Sequence, residues 1–112
     1  MAESRKHPRF ACTGLAELNA VEGGKRGWGH LADISEGGVY LSTTHPWACG
    51  VQVNFVLQMN DVEIHGKGEV VTSHVGVGMA IKITDLQGAD RFIFRSLLKE
   101  LRAAQPQVRE PD

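Results

Sequence analysis

Cysteine is scarce: Cys12 and Cys49 are the only two in 112 residues. Thiols this few and this far apart exclude a disulfide scaffold and a Cys-x-x-Cys zinc site. The histidines, His7, His30, His45, His65 and His74, are scattered. His45 and Cys49 come nearest to a pair of ligands, but Pro46-Trp47 between them breaks any helical pairing. No metal site is expected. No apolar run approaches the length needed to span a bilayer, and Met1-Ala2-Glu3-Ser4-Arg5-Lys6 leads into no apolar signal segment. The expectation is a cytoplasmic protein without membrane insertion. An excess of one charge sign is also missing. The net charge of −1 leaves no overall basic field to hold a nucleic-acid polymer. Two tryptophans, one tyrosine and four phenylalanines are too few for the interleaved stacking platforms of a single-strand binder. No nucleophile elbow is present and no base stands beside Ser35 in sequence, so no enzyme and no catalytic residue are expected.

What remains is a globular composition, 42% hydrophobic and 22% charged, in a chain of single-domain length. Its apolar residues alternate at period two over most of its length. Residues 9–20 read as a first strand with Cys12, Gly14, Ala16 and Leu18 on one face and Leu15 out of step. Glu22-Gly23-Gly24-Lys25 reads as a turn. Residues 26–34 follow as a strand carrying Trp28, His30 and Ala32 on one side, with Trp28 expected to pack. Val39-Tyr40-Leu41-Ser42 is a third strand, and residues 43–50 form a loop around Pro46 and Trp47. The cleanest alternation sets Val51, Val53, Phe55, Leu57 and Met59 against Gln52, Asn54 and Gln58. Asn60-Asp61 then marks a tight hairpin. The return strand, 62–73, carries Gly66 and Gly68, which point to a bend or bulge. A sixth strand spans 75–84. The period changes in 86–103, where Ile93, Phe94, Leu97, Leu98 and Leu101 recur at helical spacing, with Asp85 or Asp90 suited to the helix start and Arg102 to its end. Six antiparallel strands with glycine kinks and one C-terminal α-helix predict an all-β fold: a small six-stranded antiparallel β-barrel capped by the helix. Residues 1–8 are expected to be a flexible segment, 9–103 the barrel with its helix, and 104–112 a disordered tail.

Two stretches carry chemistry. Asp33-Ile34-Ser35-Glu36-Gly37-Gly38 places a carboxylate, a hydroxyl and two glycines between strands. Such residues commonly do no more than bond their own turn. Arg5-Lys6-His7-Pro8-Arg9 sets two arginines four apart in a basic segment, which by itself reads as a solvated tail. Together they have the makings of an anion clamp. Guanidinium forks suit phosphate and the O6/N7 edge of guanine, aspartate accepts from N–H donors, and Ser35 can bond a phosphate oxygen.

Arg5-x-x-x-Arg9 followed by Asp33-x-Ser35-x-x-Gly38 resembles the paired motifs of the PilZ domain family, bacterial receptors for cyclic di-GMP. The likeness extends through Gly50, Gly68-Glu69-Val70-Val71 and Val75-Gly76-Val77-Gly78-Met79 to the C-terminal helix, over about residues 4–103. It implies a split-barrel fold and a ligand-gated switch without chemistry or cofactor of its own. Arg5 and Arg9 would contact guanines and phosphates of cyclic di-GMP. Asp33 would read a guanine N–H edge or orient an arginine, Ser35 would bond a phosphate, and Gly38 would keep the approach open. Lys6, His7 and Gly37 are accessory candidates. Many relatives carry a basic residue where Ser4 stands, so one ligand or a stacked pair remains open. The resemblance further implies that ordering the N-terminal segment signals to a protein effector, in motility, exopolysaccharide or adhesion control. The alternative is a ligand-independent adaptor acting through protein contacts alone. Monomer and homodimer both remain open, since the helix can seal its own barrel or pair with a twin.

Overall fold

The computed structural model describes residues 8–104. Among the described residues seven strands, β1 (Phe10–Ala11), β2 (Leu15–Ala20), β3 (Arg26–Ile34), β4 (Gly38–Ser42), β5 (Gln52–Met59), β6 (Val62–His74) and β7 (Gly78–Leu86), precede a single helix, α1 (Gly88–Ala104). Six of them close on themselves in the order β3-β2-β5-β6-β7-β4, with β4 returning to pair with β3, and every pairing is antiparallel. The expected six-stranded barrel with one helix is therefore present, with β1 as an extra two-residue strand on β3.

The predicted first strand is split. Cys12 and Gly14 still exchange backbone hydrogen bonds with Ala32 and Leu31 of β3, but Cys12 to Gly14 leave the regular ladder. Period two holds best in β5, where Val53, Phe55, Leu57 and Met59 are all buried. Their partners inside the barrel include Leu18, Leu41, Ile64, Val70, Met79 and Ile81. Asn60 and Asp61 both adopt positive φ, 48° and 63°, as a two-residue primed turn between right-twisted strands requires. The β6–β7 register shifts at Lys67/Gly68, next to the glycines that predicted a bend, and again at Val70/Thr72.

The two tryptophans lie in contrasting surroundings. Trp28 faces outward and is 60% exposed, its ring edge-on to His30 at 5.2 Å. Its expected packing role is corrected by register: Trp28 alternates with the buried Leu31 side of β3 and pairs with the exposed Glu17. Trp47, placed in a loop by sequence, is buried at the barrel end, where its backbone N–H donates to Met79 Sδ at 3.3 Å and Lys25 Nζ stands 5.4 Å from its ring.

Helix α1 packs on β6 and β1 and buries Phe94 and Leu97, with Ile93, Leu98 and Leu101 partly covered. Asp90 in its first turn accepts a hydrogen bond from the His65 backbone N–H at 2.9 Å, which ties the helix start to β6. Asp85 instead lies in β7. Among the described residues no helix is long and apolar enough to cross a membrane.

Candidate functional site

Strand β3 should aim alternate side chains to one face, which would send Asp33 inward beside Leu31. A register shift between Leu31 and Asp33 prevents this. Leu31 and Ile34 stay buried, while Ala32 and Asp33 are both half-buried on the outer side of the strand. A bulge re-aims one residue in this way. The carboxylate then meets Arg9, just ahead of β1. Arg9 Nε donates to Asp33 Oδ1 at 3.2 Å and Nη2 to Oδ2 at 2.7 Å, a two-bonded fork with the side chains 36% and 20% exposed. This geometry is the strong form of the arginine–carboxylate pair. Its partial exposure keeps its net contribution to stability small.

The turn after β3 is closed by its own groups. Ser35 N–H donates to Gly38 O at 2.9 Å, and Ser35 Oγ accepts from Gly37 N–H at 3.3 Å and lies 3.5 Å from Gly38 O. Gly37 O accepts from Ile83 N–H at 2.9 Å. Ser35 thus does the local work usual for a turn serine. The place of Gly38 also has a packing cause: a Cβ there would collide with the Ile81 carbonyl of β7.

Cross-strand register extends the site sideways. Ala11, Asp33, Tyr40, Ala80 and Thr72 form one row across β1, β3, β4, β7 and β6. Ala80 is small, the second register shift in β6 brings Thr72 into the outer row beside it, and Val71 next to it is exposed. A hollow of about 350 Å³ results, lined by Arg9, Asp33, Ser35, Tyr40, Val71 and Lys82 among others. Tyr40 Oη stands 3.1 Å from His74 Nδ1, which steadies the ring at the hollow's edge. The Cys12 thiol feels the Asp33 charge: its pKa is pushed from its ordinary 9.0 to about 11, by burial first and by Asp33 second.

The structure thus brings together Arg9, Asp33, Ser35, Gly37 and Gly38 of the expected residues. Arg5, Lys6 and His7 lie outside the described residues. Sequence reasoning missed Tyr40, Val71 and Lys82. Alternation marked Tyr40 as opposite in facing to Val39 and Leu41, but nothing in the chain placed β6 and β7 alongside it. Among the described residues no three His, Cys, Asp or Glu side chains converge on a point that would hold a metal.

No curated protein sequence matches the chain. Among solved structures it is similar to the PilZ domain of YcgR from Escherichia coli with c-di-GMP: TM-score 0.73, 11% identity, 91% of this chain and 94% of that one. It is similar to MotI/DgrA, the inhibitor of motility of Bacillus subtilis, at TM-score 0.73 and 10% identity, covering 94% of this chain and 54% of that one. The MrkH–c-di-GMP complex of K. pneumonia gives TM-score 0.72 and 21% identity, over 93% of this chain and 54% of that one. The chain therefore spans about half the length of MotI/DgrA and MrkH. A family model described as PilZ domain matches residues 3–101, and on that match, with the barrel and its helix in place, the chain belongs to the PilZ domain family.

Proposed function

We propose that this protein is a cyclic di-GMP receptor that carries out no chemistry and signals to a protein partner. The observation that carries the reading is the Arg9–Asp33 fork, held at 2.7 and 3.2 Å on the outer wall of the barrel beside an open hollow. Neighbours of the same fold, the YcgR PilZ domain and MrkH, are described with c-di-GMP, which supports the choice of ligand.

In this reading Asp33 orients Arg9. On ligand binding the guanidinium turns its planar N–H donors to a guanine O6/N7 edge or a phosphate oxygen. Arg5 supplies the second fork of the clamp, with Lys6 and His7 as accessory phosphate contacts. Ser35 and Gly37 hold the turn in shape, and Ser35 Oγ turns to a phosphate oxygen when one arrives. Gly38 lets β4 approach β7 closely enough to form the hollow. A domain this small gains control over a partner when the ligand draws the segment that carries Arg5 onto the Arg9–Asp33 fork. The likeness to an inhibitor of motility favours motility as the regulated process.

Isothermal titration calorimetry of cyclic di-GMP into the protein tests the proposal. Micromolar or tighter binding is expected, with its stoichiometry distinguishing one ligand from a stacked pair. Each charge-assisted hydrogen bond contributes about 1.5–3 kcal/mol, so Arg9→Ala should weaken binding about tenfold to a hundredfold. No heat with wild type would overturn the receptor reading in favour of a ligand-independent adaptor. Unchanged affinity in Arg9→Ala would overturn the site.

A further inference from the structure

A second concavity, about 490 Å³, lies between α1 and the start of β1. It borders the proposed ligand site through Glu36 of the β3–β4 turn and through Pro8, next to Arg9. Phe92 is 72% exposed in its wall, whereas Phe94 is 2% exposed in the core. Two residues turn a helix by about 200°, so the two rings face opposite ways. Phe92 is thus a large apolar side chain that the barrel does not use. Beside it stand Arg95, Lys99 and Arg102, spaced to share one flank of the helix. Arg102 is held in place, its guanidinium carbon 5.8 Å from the centroid of the buried Phe10 ring. Among the described residues, three cations against the single carboxylate of Glu36 make this groove basic in a chain whose net charge is −1.

We propose that this groove docks an acidic segment of a partner protein, one that sets an aromatic or leucine side chain beside Phe92 and carboxylates along Arg95, Lys99 and Arg102. Charge complementarity selects the acid, and the exposed ring selects the apolar anchor. The concave shape takes up a side chain, where a membrane surface would need a protruding one. Docking itself stands on the helix face alone. Its coupling to cyclic di-GMP rests on the receptor reading: Pro8, in the groove wall, directly precedes Arg9, and Glu36 belongs to the Asp33–Gly38 turn. Ligand binding at the fork therefore alters both lips of the groove.

The test is fluorescence anisotropy with a labelled peptide of glutamates around one phenylalanine, beside a control in which lysines replace the glutamates. Saturable binding of the acidic peptide alone is expected. It should weaken at least about tenfold in the double variant Arg95→Glu, Lys99→Glu and in Phe92→Ala, about 1.4 kcal/mol or more. Trp28→Ala, at an exposed position outside the groove, should leave it unchanged, and thermal unfolding of each variant checks that the fold is retained. Absence of saturable binding, equal binding of the lysine peptide, or equal binding by the charge-reversed variant would overturn the proposal. A dimer in sedimentation that Phe92→Ala dissolves would also overturn it and assign the groove to a second copy of this chain. Peptide affinity that cyclic di-GMP leaves unchanged, in protein shown by calorimetry to bind it, would overturn the coupling. Failure of cyclic di-GMP to bind at all would sink the receptor reading and leave the peptide result standing.

Discussion

Arg9 and Asp33 are 24 residues apart in the chain and meet in a two-bonded fork. Lysine in place of Arg9 keeps the charge and loses the planar pair of donors. Arg9→Lys is therefore expected to retain the fold, judged by circular dichroism, while weakening cyclic di-GMP binding by about tenfold or more in calorimetry. Gly38 acts through packing. Gly38→Ala drives a methyl group into the Ile81 carbonyl and should destabilise the barrel by about 1–3 kcal/mol in urea unfolding. A residue-scale signal also comes from sulfur. Cys49 is exposed, whereas the Cys12 thiol, half-buried beside Asp33, has its pKa raised to about 11. At pH 8, iodoacetamide should modify Cys49 first, by mass spectrometry, with Cys12 protected until unfolding. The linkage has a definite sign. The folded thiol holds its proton more tightly than the unfolded one, so stability falls as pH rises from about 9 toward about 11. Cys12→Ala should flatten that slope.

At the scale of the element, legibility depended on whether a local rule or a distant partner decided the outcome. Strand β5 was readable because one buried face forces strict alternation. The Asn60-Asp61 turn was readable because few residues accept positive φ, and α1 because its apolar spacing changes period. The Arg9/Asp33 motif pair was visible in sequence, but the aim of Asp33 was not. Plain alternation puts Asp33 on the Leu31 side, and only the register against β4 shows the shift that turns it outward. The packing expected of Trp28 failed for the same reason: its facing is set by its register against β2. The helix gives a prediction of its own. Phe94 fills space under α1, and Phe94→Ala should cost about 3–5 kcal/mol in chemical denaturation. Phe92→Ala should leave stability nearly unchanged, since that ring faces solvent.

At the scale of the molecule, closure of the barrel through β3–β4 makes the site possible. It places the turn of β3–β4, the fork from the N-terminal side and the outward rows of β6 and β7 on one wall. A ligand that binds only this assembled wall stabilises the fold by mass action. At about a hundredfold excess over Kd it adds about 2.7 kcal/mol, which for a domain of this size raises Tm by at least about 10 °C. The outer side of the first half of β3, with Trp28 and His30, takes no part in the proposed binding. The most direct measurement is therefore a titration of cyclic di-GMP into isotope-labelled protein, followed by amide and indole NMR signals. The account predicts shifts concentrated at Arg9, Asp33 to Gly38, Tyr40, Val71 and Ala80, with the Trp28 indole unmoved. Shifts centred on Trp28, or none at saturating ligand, would contradict it.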